Sequence, residues 1–347
     1  MTELSLEDRE RARVLLCRMG DDIREAVIAA RANAVDVGTL ASVAEVTAAD
    51  TLYQIDKVSE GTVIGWLGAN WPTDWPVEVV MEGTEEKVPL RFPHGVRVDQ
   101  TILKLIVDPI DGTRSLMYDK RAGWALAALA PQRGRDTNLA HIVVAAMTEL
   151  PTSKQWRADQ LSVVRGAGVF AESVNVFKPQ QRFPLAVRPS RATDFRHGFA
   201  SLVKFFPEGK ALTAQIEEAV WDQLLGRTRA HTPMVFDDQY LCTGGQIYEL
   251  LTGRDRMIGD LRPLVLSALG FGGMTTCHPY DICTGLLLTE AGGLLEKPDG
   301  TPLNARLDTT TPVAWVGYAN ETLARQVRPV LQQAMEHYVG ATWRNGR

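Results

Sequence analysis

Ile102-Leu103-Lys104-Leu105-Ile106-Val107-Asp108-Pro109-Ile110-Asp111-Gly112-Thr113 is the stretch on which the reading of this chain turns. Its first six residues are apolar and partly β-branched apart from Lys104, and so short a run marks a buried strand rather than a helix. Asp108 is then expected as the first residue out of that strand. Pro109 fixes its own φ and biases Asp108 toward an extended backbone. Gly112 permits a tight turn, and Thr113 can open a helix whose first N–H groups face outward. Two carboxylates three apart on a rigid turn beside a helix start suit metal ions and phosphate.

Two other segments carry the same kind of signal. Val77-Glu78-Val79-Val80-Met81-Glu82-Gly83 reads as an apolar strand ending in an acid. His278-Pro279-Tyr280-Asp281-Ile282-Cys283-Thr284-Gly285, followed by Thr289-Glu290-Ala291-Gly292-Gly293, reads as an aromatic–Asp pair opening a helix that ends at A-G-G. With Asp108 to Thr113 between them, in this order, they resemble the signatures of the inositol monophosphatase-like superfamily. These are Mg-dependent and commonly lithium-sensitive sugar and nucleotide phosphatases, fructose-1,6-bisphosphatase among them. Gln54-Ile55-Asp56-Lys57-Val58 is similar to the family's early Asp-bearing segment, and Arg165-Gly166-Ala167-Gly168-Val169-Phe170 to its Gly-x-Gly-x-Phe turn, so the resemblance runs through most of the chain.

The resemblance implies an α+β / α/β protein, a layered α-β-α-β-α sandwich that hydrolyses a phosphate monoester of a small polyol, sugar or nucleotide with two or three Mg²⁺ ions. It implies that Glu82, Asp108 and the main-chain carbonyl of Ile110 hold one ion, and Asp108, Asp111 and Asp281 a second. Thr113, with Glu82, would orient the attacking water, and the N–H groups at Gly112 and Thr113 would hold the phosphate. Glu82, Asp111 and Thr113 are thus the catalytic candidates. Asp56 would act behind them, through water toward a third ion, or serve as an ordinary helix N-cap. Cys242-Thr243-Gly244-Gly245 is similar to the small-residue segment laid against the polyol, and Asp260 falls where the family commonly has an acid that binds ring hydroxyls, so the resemblance makes Thr243, Gly244 and Asp260 candidate substrate contacts. The alternatives are a Gly-rich helix start and a strand-end aspartate that meets solvent.

Four departures bear on these roles. Gly83 follows Glu82 where a second glutamate is usual, and Glu85-Glu86 offer a competing alignment; Tyr280 stands in the usual place of tryptophan; and Arg114 follows Thr113. Leu261 to Cys277 is a longer connection than in simple inositol phosphatases, rich in Leu and Gly. It is a candidate either for shaping the substrate pocket or for a subunit interface, and a homodimer is expected.

Composition bounds the alternatives. The chain has 347 residues, 45% hydrophobic and 23% charged, with a net charge of −5. An acidic balance disfavours general nucleic-acid or membrane-surface binding and fits small-molecule chemistry better, and the resemblance implies that the partner is a small phosphorylated metabolite. Four cysteines form no C-x-x-C pair and six histidines show no H-x-x-x-H spacing, so oxygen-ligated hard metals are favoured over zinc. The acidic start Met1-Thr2-Glu3-Leu4 and the lack of any run of about 18 apolar residues lead to the expectation of a cytoplasmic protein.

Ser5-Leu6-Glu7-Asp8 resembles a capping box, and Leu15, Met19, Ile23, Val27 and Ala30 at helical spacing predict a long first helix. Consecutive strands then predict an α+β half over 1–180 carrying Glu82 and Asp108 to Thr113. Alternating elements predict an α/β half over 181–347 carrying Asp281. The competing functional class is a non-catalytic, regulatory sugar-phosphate-binding protein on the same scaffold, against which the intact set of Glu82, Asp108, Asp111, Thr113 and Asp281 argues.

Overall fold

The computed structural model describes residues 4–33, 43–46, 51–84, 89–226, 233–340 and 343–344. Its first half comprises helix α1 (Leu6–Asn33), strands β1 (Val43–Val46) and β2 (Thr51–Tyr53), helix α2 (Gln54–Asn70), strands β3 (Val77–Met81), β4 (Leu90–Phe92) and β5 (Leu103–Asp111), and helix α3 (Thr113–Met117). Strands β6 (Gly123–Pro131), β7 (Val144–Leu150), β8 (Arg157–Val164), β9 (Gly168–Asn175) and β10 (Lys178–Pro184) follow. The second half continues with β11 (Gly198–Leu202), α4 (Lys210–Leu225), β12 (Val235–Phe236), α5 (Thr243–Leu251), β13 (Asp255–Asp260) and α6 (Arg262–Ala268). It closes with α7 (Pro279–Ile282), α8 (Leu286–Glu290), β14 (Leu294–Glu296), β15 (Trp315–Tyr318) and α9 (Glu321–Tyr338).

The strands form an eight-stranded sheet in the order β10-β9-β8-β7-β6-β5-β3-β4 and a five-stranded sheet in the order β12-β11-β13-β15-β14, with β1 and β2 paired separately. In the large sheet only β3 and β5 run parallel; every other neighbouring pair is antiparallel. The expected boundary at 180/181 falls within β10, and the second sheet begins at Gly198.

Residue alternation along β6 explains the layering. Trp124, Leu126, Ala128 and Ala130 belong to one apolar cluster and Ala125, Ala127 and Leu129 to another, so both faces of this strand must be covered. On one face lie α1 and α2, through Leu16, Met19, Ile23, Val63 and Leu67. On the other lie Ile247, Leu250 and Leu251 of α5 and Leu286 to Leu288 of α8, which also meet Ile258 and Trp315 of the small sheet. The outer face of the small sheet packs Leu202, Met257 and Val316 against Ile216 and Val220 of α4 and Leu323, Val327 and Leu331 of α9. The result is the expected α-β-α-β-α sandwich.

Helix α1 begins as predicted, with the Asp8 N–H donating to Ser5 Oγ at 3.1 Å. Its buried stripe runs through Ala12, Leu16, Met19, Ile23 and Val27, with Leu15 half-buried against the same cluster. The helix sits close because Gly20 has no side chain: a Cβ there would lie 2.1 Å from Thr148 Oγ1.

Three local expectations are corrected. Asp108 is not the first residue out of its strand, because β5 continues to Asp111. Asp108 pairs with Leu126 and Asp111 with Trp124, and this shift of register is a bulge that absorbs Pro109, which has no N–H to give the ladder. The single helix expected from Ile282 to Glu290 is two short helices joined by a 3₁₀ turn at Cys283–Gly285. The segment 261–277 is not wholly loop, since Pro263 sits in the first turn of α6 and Val265 and Leu266 are buried under it. No helix among the described residues is long and apolar enough to cross a membrane.

Asp255 opens β13 almost fully buried. Burial, with the nearby charges of Glu249, Asp238 and Asp237, pushes its carboxyl up to about 7. The native state therefore keeps this proton to higher pH than the unfolded chain, where Asp titrates near ~4. The group's contribution is fully present below that value and is lost as pH rises toward about 7. Asp255→Asn removes the slope, and urea unfolding should give it a stability gain over wild type that grows from about pH 5 to about pH 8, reaching ~1–3 kcal/mol.

Candidate metal centre

Asp108, Asp111 and Asp281 reach one point from two signatures: one carboxylate oxygen of each lies within 4.8 Å of the others. The β5 bulge is what aims both of its aspartates into the same cleft. Asp108 Oδ1 accepts the Ile110 N–H at 3.0 Å, which fixes its rotamer. Asp281 sits in the first turn of α7, where its Oδ2 accepts the His278 N–H at 2.6 Å. Tyr280 is buried beside it, its ring stacked on His278 and its hydroxyl 3.2 Å from His278 Nδ1.

Asp111 is held by a helix start. Thr243 and Gly244, the first residues of α5, donate their N–H groups to its two oxygens, at 3.3 Å and 2.5 Å. A carboxylate is favoured there by the free N–H groups and the positive end of the helix. The approach needs two glycines. A Cβ on Gly244 would stand 2.7 Å from Leu126 Cδ2, and Gly112, at φ +88°, would place one 2.9 Å from the Cys242 Cβ. Cys242 caps the same helix, its Sγ accepting from the Gly245 N–H at 3.3 Å.

Three acids this close, two of them almost fully buried, are electrostatically unfavourable by themselves. Burial pushes the Asp108 carboxyl well above the ordinary carboxylate range, and the charges of Asp111 and Asp281 add to it. Burial also raises Asp111 to about 6, although the hydrogen bonds from Gly244, Cys242 and Thr243 and the charge of Arg262 pull it down. A divalent cation would relieve that repulsion, and an all-oxygen donor set suits a hard one.

Glu82 stands at the turn after β3, its N–H donating to the Val107 carbonyl at 3.3 Å, and lines the same cleft. Glu85 and Glu86, its competitors in the alignment, lie outside the described residues. Thr113 Oγ1 lies 2.9 Å from Asp56 Oδ1 and 2.8 Å from the Ile110 carbonyl. Asp56 also accepts the Tyr53 N–H through Oδ2 at 2.7 Å, so it both caps α2 and braces Thr113. Gly112, Thr113 and Thr243 line the cleft, while the Gly244 N–H is engaged by Asp111.

Asp260 is placed differently from the expectation. It is almost fully buried, and both its oxygens are taken by Arg262: Nε at 3.0 and 3.1 Å and Nη2 at 2.7 Å. Arg262, not Asp260, forms the cleft wall, together with Phe205, Phe206, Thr275 and Thr276. Arg262, Thr275 and Thr276 belong to the segment 261–277 that was a candidate for shaping the pocket, whereas sequence reasoning passed over Phe205 and Phe206. The aromatic pair within Lys204-Phe205-Phe206-Pro207, and an arginine two residues after the acid at the end of β13, were the available signals. Glu60 was also missed; one turn after Asp56, it shares a small recess with Asp56 and Glu82. Arg114, noted as a departure, lies over the Tyr53 ring at 5.7 Å and reaches the cleft.

No protein-family model matches the sequence, and no curated protein matches it significantly. Solved structures do match. The extragenic suppressor protein suhB from Bartonella henselae aligns at a TM-score of 0.64 and 15% identity, over 93% of this chain and 99% of that one. The fructose-1,6-bisphosphatase of Leishmania major, in holo form, gives 0.63 and 13%, over 93% of each chain. The inositol monophosphatase of Anabaena (Nostoc) sp. PCC 7120 gives 0.56 and 13%, over 97% of this chain and 99% of that one. Identities this low speak for architecture alone, and on that ground the chain has the fold shared by inositol monophosphatases, SuhB and fructose-1,6-bisphosphatase.

Proposed function

We propose that the protein is a Mg²⁺-dependent phosphatase that hydrolyses a phosphate monoester of a small polyol, sugar or nucleotide. The observation that carries this reading is the convergence of Asp108, Asp111 and Asp281 within 4.8 Å at the floor of an open cleft. Buried like charges persist where function needs them, and here the donor set fits Mg²⁺. Asp108, Asp111, Asp281, Glu82 and the Ile110 carbonyl would hold two ions, and Asp56 would stand behind a third. Bound Mg²⁺ would neutralise the phosphoryl oxygens, lower the pKa of water and stabilise the leaving alkoxide.

The protein's own groups orient the reaction. Thr113 Oγ1 has two acceptors in reach for its one proton, Asp56 Oδ1 at 2.9 Å and the Ile110 carbonyl at 2.8 Å, and with that proton given to either it keeps lone pairs to accept from the attacking water. Glu82, on the same wall, provides a second acceptor for that water. The backbone N–H groups of Gly112 and Thr113 would take the phosphate oxygens, since the left-handed turn at Gly112 directs that segment into the cleft. The resemblance of the three signatures supports the same assignment, including lithium sensitivity.

Phosphate release from a panel of phosphorylated metabolites, with and without Mg²⁺, tests the reading. Asp108→Asn, Asp111→Asn and Asp281→Asn should each lower turnover at least ~100-fold. Near-normal activity of Asp281→Asn at saturating Mg²⁺ would remove it from the cage. Lithium should inhibit in an uncompetitive or mixed manner, and a Mg²⁺-dependent activity indifferent to it would take lithium sensitivity out of the reading.

Stability offers an independent readout. In chelator, Asp108→Asn should melt a few degrees above wild type, because it removes one of three crowded charges. In Mg²⁺ the order should reverse, because only the wild type gains binding free energy from the ion. Melting curves that show no Mg²⁺ effect on the wild type would refute metal binding here.

A further inference from the structure

The cleft wall made by Arg262, Phe205, Phe206, Thr275 and Thr276 carries an aromatic pair, and the acid expected to read hydroxyl groups is withdrawn from it. Phe205 and Phe206 are both half-buried, with ring centroids 5.4 Å apart and planes at 86°. The Arg262 guanidinium packs over both rings, 4.8 Å from the centre of Phe205 and 5.3 Å from that of Phe206. Asp260, beneath it, places both oxygens in the guanidinium fork and also accepts the Arg262 main-chain N–H at 3.0 Å. Its carboxylate therefore has little left to offer a polyol.

A ring of hydroxyl groups needs donors and acceptors, which phenyl rings lack, and burying hydroxyls against them unpaired is unfavourable. A flat π-system, in contrast, gains from edge-to-face or offset contact with phenyl rings and from a guanidinium held at their side. The rings are kept in place by the Arg262–Asp260 pair, so the surface exists before any ligand arrives. We propose that Phe205 and Phe206, braced by Arg262, make this site selective for phosphate monoesters whose alcohol carries an aromatic ring of the nucleobase type. This rests on the phosphatase reading and narrows its substrate class.

The experiment compares esters that share a sugar and a phosphate position and differ in the base: the 2′, 3′ and 5′ isomers of adenosine monophosphate, each against ribose phosphorylated at the same position. With Mg²⁺, wild-type kcat/KM should favour the best adenosine isomer at least ~10-fold. Phe205→Ala and Phe206→Ala should each reduce that ratio by ~5–10-fold. Phe206→Leu, which keeps apolar volume without the π-face, should fall between and guards against a folding defect. A wild-type ratio near one, or equal losses for both esters, would overturn the proposal. If only other esters are hydrolysed, the phosphatase reading stands and this inference falls. If no ester is hydrolysed, the phosphatase reading fails. Calorimetric titration of the protein with adenosine monophosphate in Ca²⁺ then decides: affinity reduced ~5–10-fold in both alanine variants supports the aromatic wall, and absent or unaltered binding rejects it.

Discussion

Three carboxylates gathered within 4.8 Å at the end of a core strand repel one another, and a fold that keeps them there must hold each one by something else. Asp108 is held by its own backbone through Ile110, Asp111 by the first turn of α5, and Asp281 by the His278 N–H. None of these restraints neutralises the cluster. They fix its geometry and leave a concentration of negative charge that a bound cation could balance.

Of the three restraints, the one on Asp111 reaches furthest into the architecture. It joins the large sheet, through β5, to α5 in the middle layer, and α5 in turn packs on the small sheet. Two backbones must come close for this, which accounts for Gly112 and Gly244 without appeal to loop flexibility. The middle layer is thus both the apolar filling between the sheets and the source of the N–H groups at the site. A larger residue at Gly244 would press on Leu126 in the core and on Asp111 in the cleft at once.

The opposite wall of the cleft follows a different logic. Arg262 is largely but not wholly removed from water, and its charge is compensated by a forked pair with Asp260 and by two phenyl rings. A buried pair of this kind adds little net stability but fixes orientation. In the proposed reaction the acids would serve phosphate chemistry, and the Arg262 wall would shape what is attached to the phosphate. The two sets approach the cleft from different sheets: β3 and β5 supply Glu82, Asp108 and Asp111, and the segments after β11 and β13 supply Phe205, Phe206 and Arg262.

Local chemistry made much of this legible in the sequence. A short β-branched run is a buried strand wherever it lies, and Gly112 after Asp111 requires a turn. Ser5 ahead of Asp8 caps a helix, and the amphipathic spacing of α1 follows from packing one face. The acidic cluster was legible because Asp108 and Asp111 lie three residues apart on one turn and Asp281 opens a helix of its own. The bulge that keeps Asp108 inside β5 was not legible, because it is imposed by the register with β6, a strand that begins twelve residues after Asp111. Nor was the fate of Asp260, whose partner is two residues away but whose orientation depends on Phe205 and Phe206, more than fifty residues earlier. Side-chain type and period determine strands, helices and candidate ligands by themselves. Which acids face the cleft and which are tied up behind it depends on contacts between remote segments, and only the packed layers bring those segments together.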